Sequence, residues 1–193
     1  ENRGLDTEMV LEHIEELVSQ GVQGLAIAPN NSPEIRQCID ELYEQGIPVI
    51  TFNSDAPGSR RLAFIGMDNY RAGQTAAGLL RLMLPAGGKV LPLAGHLNNT
   101  AHNNRLNGFM DTINGETGNE IELLAFQPCF DRDDYAHEIT QHALRANPDL
   151  TGIYVASNGQ VGACAAVEEE GRKGKVKVVA FDLNPMNMEL LQS

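Results

Sequence analysis

The sequence predicts an α/β fold built of parallel sheets flanked by helices. Three observations carry that expectation. Short β-branched apolar runs recur along the chain, stretches with the apolar spacing of amphipathic helices separate them, and the connections between are short. Several of the runs are almost continuously apolar, the pattern of strands buried on both faces of a parallel sheet. Strand–helix–strand order then implies right-handed crossovers.

From Asp6, an N-cap candidate, Met9, Val10, Ile14, Leu17 and Val18 fall on one helical stripe, and Glu8, Glu12, Glu15 and Glu16 face water. Gly21 stops that helix. A strand follows at 24–28, and a second helix starts after Ser32-Pro33, where serine caps and proline takes the first turn, and ends at Gly46. Strands are predicted at 48–52 and 62–66, a helix at 69–84, a strand at 89–95 and a helix at 100–114. Next come a strand at 121–126, a helix at 133–146, a strand at 152–157, a helix at 159–171, a strand at 176–181 and a helix from 186. Pro92 removes a ladder hydrogen bond and predicts a sheet edge or a bulge. The break Leu84-Pro85-Ala86-Gly87-Gly88 is a candidate lobe boundary. The chain opens on a helix without the strand that should precede it and stops inside another, so it is expected to be a fragment of a longer protein with terminal segments missing.

A length of 193 residues suits one large domain or two small ones. Fourteen basic against 26 acidic residues give a formal charge of −12, which repels phosphate backbones and anionic membrane surfaces alike. No apolar run reaches the ~20 residues of a membrane-spanning helix. Cys38, Cys129 and Cys164 are odd in number and widely separated, which argues against a disulfide framework or a zinc ribbon and for small buried hydrophobes. Three unpaired thiols favour the reducing cytoplasm.

Ligands of open parallel sheets bind beyond the carboxyl ends of the strands. Those ends carry Pro29-Asn30-Asn31, Asn53-Ser54-Asp55, Asp68-Asn69, His96-Leu97-Asn98, Asn158 and Asp182, with Arg105 early in the helix after His96. Amides, carboxylates and an arginine suit a polyhydroxyl ligand, because each can engage vicinal hydroxyls; the same residues also serve turns and caps. Nucleophile-elbow, phosphate-loop, dinucleotide and zinc-protease motifs are absent, so no enzyme, metal or cofactor is expected. His96 and His102 are open to ligand contact, a metal pair, or lining and capping. His137 and His142 read as solvated surface. Phe52, Tyr70 and Phe130 are the candidates for stacking on a sugar ring, Phe52 being equally suited to the core.

Gly-Val-Gln-Gly-Leu-Ala-Ile-Ala-Pro (21–29) followed by Gly-Ile-Pro-Val-Ile-Thr-Phe-Asn-Ser-Asp (46–55) resembles the type I periplasmic-binding-protein fold. That fold is shared by sugar-binding transport proteins and by the effector domains of lactose-repressor-type (LacI family) regulators. Phe64–Asn69 with Ala72-Gly73 is similar to the family's crossing between lobes, and Arg105-Leu-Asn-Gly-Phe109 to its Arg-x-x-Gly-Phe helix; Asn158 and Phe181-Asp182 complete the set. The resemblance implies two lobes, 1–67 and 68–193, that close over a sugar-like ligand. It also implies ligand contacts from Asn53, Arg105, Asn158 and Asp182, with Ser54 and Asp55 nearby. The pattern departs at Ala28, where ribose-type binders carry a polar side chain.

Within the resemblance, Asp55-Ala-Pro-Gly-Ser-Arg-Arg61, Ala156-Ser-Asn-Gly159, Cys164 and the free thiols favour the regulator. The expectation is a cytoplasmic effector-binding domain, homodimeric, that touches DNA only through a headpiece absent from this chain. The alternative is the periplasmic or extracellular sugar-binding component of an ABC transporter.

Overall fold

A computed structural model describes residues 7–115 and 120–192. The predicted α/β architecture is present, and every strand pairing is parallel. Two compact units form. One takes the described residues up to Asp68 together with Asn98–Ala101, the other Asn69–Leu97 and His102 onward.

In the first unit, α1 (Thr7–Ser19), β1 (Leu25–Ile27), α2 (Pro33–Glu44), β2 (Val49–Phe52) and β3 (Ala63–Ile65) alternate, and the sheet runs β1-β2-β3. The Ser32 hydroxyl accepts the Ile35 N–H at 3.2 Å and Pro33 opens α2, so the start signal in the sequence acts as written. Ile35, Ile39 and Leu42 of α2 pack with Ile14 of α1 and with Leu25 and Val49 of the sheet. On α1 Val10, Ile14 and Val18 of the predicted stripe pack on this core, joined by Leu11, whereas Leu17 is exposed. The Asp6 cap lies outside the described residues.

The second unit contains α3 (Asn69–Met83), β4 (Gly88–Ala94), α4 (Thr100–Gly115), β5 (Ile121–Leu123), β6 (Gln127–Pro128), α5 (Asp133–Ala146), β7 (Leu150–Val155), α6 (Gln160–Glu169), β8 (Lys177–Ala180) and α7 (Pro185–Gln192). The first turn of α4 belongs to the first unit. The sheet runs β5-β4-β7-β8, with β6 also on β4. Side chains alternate across it. Val90, Ala94 and Tyr154 join Leu80, Leu106 and Phe109 on one face, whereas Leu91, Leu93, Ile153 and Val155 join Ala136, Leu144 and Ala163 on the other. Because helices cover both faces, β4 and β7 read as unbroken apolar runs; each fully buried leucine or valine contributes about 1.5–3 kcal/mol.

Pro92 is at neither an edge nor a bulge. It sits in the central strand opposite Tyr154 of β7. The Val90 and Ala94 carbonyls accept from Leu124 and Cys129, so the strand's alternation turns residue 92 toward the same side as those two. There the partner changes from β5 to β6, the single stretch predicted at 121–126 being split, and no ladder donor is required of Pro92. The Leu84–Gly88 break is the α3–β4 turn inside the second unit, not a lobe boundary.

α3 and α4 meet backbone to backbone. A Cβ on Gly73 would lie 2.0 Å from the Arg105 carbonyl oxygen, and one on Gly108 2.0 Å from that of Tyr70. This mutual approach fixes the height at which α4 presents Arg105.

Candidate functional site

In the second unit the strand ends converge on Arg105. It is only 6% exposed, and its Nε donates to Asn69 Oδ1 at 2.8 Å. One terminal nitrogen donates to the Ala156 carbonyl at 3.4 Å, and the guanidinium lies 4.2 Å above the Phe181 ring. Tyr154, stacked on Phe109 at 3.9 Å, donates its hydroxyl to the Arg105 carbonyl at 3.1 Å. Burial lowers the Arg105 pKa and the Asp182 carboxylate opposes it, so the two charges sense one another. A guanidinium held on one edge and one face, with donors remaining, is equipped to hydrogen-bond a neutral polar ligand.

Asp182 follows β8 and Asn158 follows β7, and both are exposed. Asp182 adopts φ 67°, a left-handed conformation that aspartate tolerates, and its carbonyl accepts from Asn187 Nδ2 at 2.7 Å. Asn158 donates its backbone N–H to Asp131 Oδ1 at 3.1 Å. Phe130, 39% exposed, stands edge-on to His96 with centroids 5.5 Å apart. His102 Nδ1 lies 3.8 Å from Asp131 Oδ2; burial lowers its pKa, Arg105 and His96 push the same way, and Asp131 and Asp182 oppose. Asp131 was not among the sequence candidates. Its signal is the aspartate two residues after a buried cysteine, which only the strand pairing makes meaningful.

The first unit places Asn53, Ser54 and Asp55 after β2. Asn53 is exposed at φ 60°, the left-handed counterpart of Asp182, and donates its N–H to the Ile65 carbonyl at 3.2 Å. The Ser54 hydroxyl is buried against Thr100 Oγ1 at 3.2 Å. Asp55 takes both Arg61 Nε–H and Nη2–H, at 2.5 and 2.7 Å, together with the Thr51 hydroxyl and the Ala56 N–H. The polar atoms of Ser54 and Asp55 thus tie the turn together, while Asn53 keeps an outward amide. Ala28 is exposed, and Asn30, wholly buried, bonds to Thr7 and to the Ser32 N–H.

Of the aromatic candidates, Phe52 is exposed rather than core, Tyr70 donates to Asp111 Oδ2, and Phe130 alone stands among the strand ends of the second unit. His137 pairs with Glu169 and His142 is exposed. Among the described residues no cluster of three or more His, Cys, Asp or Glu side chains is arranged to hold a metal ion, and no helix is long and apolar enough to cross a membrane.

Residues 2–193 match the periplasmic binding protein domain. The ribose import binding protein of Escherichia coli K12 is 28% identical over 177 residues, covering 91% of this chain and 58% of that protein. The D-allose-binding periplasmic protein of the same organism is 27% identical over 198 residues, covering 97% and 63%. A glucose-galactose binding protein from Geobacillus stearothermophilus superposes with a TM-score of 0.89 at 28% identity, covering 96% of this chain and 66% of its own. An ABC transporter solute binding protein from Burkholderia graminis, in complex with D-arabinose, also reaches 0.89, at 29% identity, covering 97% and 65%. The chain therefore spans less than two thirds of the length of the curated relatives described.

These relatives correct two expectations. They are sugar-binding transport proteins, not lactose-repressor-type regulators and not enzymes, so the regulator reading falls. The homodimer and the DNA contact had no support apart from it. Of the residues that favoured it, Asp55 and Arg61 close a turn, and the Ala156 carbonyl accepts from Arg105. The cytoplasmic assignment falls as well, because the relatives are import and periplasmic binding proteins. Its physical basis was the free thiols, and Cys129 is a buried thiol hydrogen-bonded to backbone carbonyls, its pKa raised by burial, which says nothing of compartment. By the match across residues 2–193 the chain belongs to the periplasmic binding protein domain family.

Proposed function

We propose that the chain is the sugar-recognising part of a solute-binding protein serving an ABC-type importer outside the cytoplasmic membrane, with a monosaccharide as ligand. The carrying observation is Arg105, buried and held by Asn69 and Phe181 beside Asp182 at the carboxyl ends of the second sheet. In this reading Arg105 and Asp182 engage vicinal hydroxyls by charge-assisted hydrogen bonds, Asn158 selects their stereochemistry, and Phe130 covers an apolar ring face. Asn53 is the proposed contact of the first unit, with Ser54 and Asp55 shaping the turn that carries it.

Relatives that bind ribose, allose, glucose-galactose and arabinose define the first panel to try. Thermal unfolding with D-ribose, D-allose, D-glucose, D-galactose and D-arabinose tests the reading. A sugar present at about 100 times its Kd adds about 2.7 kcal/mol of stability and raises Tm by several degrees. A flat response to all five, with Tm unmoved at millimolar sugar, contradicts it.

A further inference from the structure

We propose that Asp131 is a positioning residue of this site, acting on ligand through Asn158; the inference rests on the sugar-binding reading above. Asp131 is turned inward, its side chain 11% exposed, and its Oδ1 accepts the Asn158 N–H. Two residues earlier, Cys129 Sγ lies 3.3 Å from the Asn158 carbonyl oxygen and 3.3 Å from that of Ala94. One three-residue loop thus grips both backbone polar groups of Asn158. On its other side the carboxylate faces His102, three residues before Arg105 on α4. Asp131 therefore stands between the strand end that carries Asn158 and the helix that carries Arg105.

The geometry is maintained against a cost. Phe130 and Asp131 adopt φ 55° and 58°, a left-handed pair without glycine, which disfavours the loop. Such conformations persist where the surroundings over-determine them and cluster at ligand sites. The surroundings here include Gly95, where a Cβ would lie 2.4 Å from Asp131 Oδ1, so only glycine leaves room for the carboxylate. Asn158 precedes Gly159, at φ 113°, and an exposed amide beside a glycine would lose backbone freedom when it binds ligand. Fixing it beforehand removes that loss from the binding step.

The test uses two substitutions, both compatible with a left-handed backbone. Asp131→Gly removes the carboxylate, and Asp131→Asn keeps an oxygen at Oδ1. Calorimetric titration with D-ribose, D-allose, D-glucose, D-galactose and D-arabinose selects the tightest sugar for the wild type. For that sugar Asp131→Gly is expected to bind about tenfold weaker and Asp131→Asn within about threefold of wild type. In an Asn158→Ala background Asp131→Gly should add no further loss, because its effect runs through Asn158. Wild-type affinity in Asp131→Gly, or the same loss with and without the Asn158 side chain, overturns the proposal while leaving the sugar reading intact. Failure of the wild type to bind any of the five overturns both.

Discussion

Arg105 donates its Nε–H to Asn69 Oδ1 across 2.8 Å, so the first residue of α3 sets the side chain that α4 brings to the strand ends. The Phe181 ring beneath the guanidinium belongs to the residue just before Asp182. Orientation of the cation and placement of the anion are thus coupled through one short segment. If Arg105 binds sugar, Asn69 acts on affinity without touching ligand. Asn69→Ala is expected to weaken sugar binding about threefold to tenfold, the scale of one ordinary hydrogen bond, because Asn69 acts only through Arg105. Titration calorimetry of the variant checks it, and an unchanged Kd would show that Phe181 and Ala156 suffice.

The crossing of α3 and α4 makes a second expectation. Alanine at Gly108 would place a methyl group 2.0 Å from the Tyr70 carbonyl, a backbone atom with no side-chain freedom to yield. Helix separation must follow, and overpacking of this kind costs about 1–3 kcal/mol. Gly108→Ala should therefore lower Tm by several degrees in a calorimetric scan. Gly78→Ala, on α3 and with open space around its Cβ position, should leave Tm equal or raise it.

His102 gives a pH dependence whose sign is fixed. Its pKa is lowered chiefly by burial, so the folded protein favours neutral imidazole. As pH falls through the ordinary histidine value of about 6.5, the unfolded chain takes up the proton first. The stability contributed by neutral His102 is present above that pH and is lost as pH drops toward the folded-state pKa. Between about pH 7 and pH 5 the wild-type Tm should therefore fall more steeply than that of His102→Gln. Parallel Tm–pH curves for the two proteins would show that His102 does not titrate differently on folding.

Asp55 separates turn integrity from ligand contact. Its carboxylate is paired bidentately with Arg61, both side chains being partly buried. Asp55→Ala should lower Tm measurably, since a partner left unsatisfied costs up to about 3 kcal/mol of stability. Its sugar affinity should fall by less than that of Asn53→Ala, and chemical denaturation run beside calorimetry distinguishes the two effects.

Much of this arrangement was legible in the sequence for definite reasons. Apolar runs at Val90–Ala94 and Ile153–Val155 marked the central strands because both faces of the sheet are covered, and Ser32-Pro33 wrote its own helix start. The rule that ligands bind at carboxyl ends singled out Arg105 and Asp182, whose charges the structure brings within reach of one another, and Asn53 and Asn158, which it leaves exposed. What escaped depends on pairing between distant segments. Pro92 looked like an edge residue, because nothing local shows that β5 and β6 share one side of β4 and leave a gap between them. Asp131 was invisible because its partner, Asn158, is 27 residues away, and the left-handed Phe130–Asp131 pair carries no glycine to signal it. The choice of regulator over transporter leaned on the Asp55–Arg61 segment, whose polar atoms close a turn and so mark neither role.

If Arg105 and Asp182 form the polar core of a monosaccharide site, titration calorimetry of Arg105→Ala and Asp182→Ala reads it out. With the sugar that binds the wild type most tightly, each substitution should weaken affinity by about tenfold or more, as expected when a charged hydrogen-bonding partner is lost. Wild-type affinity in either variant would contradict the account.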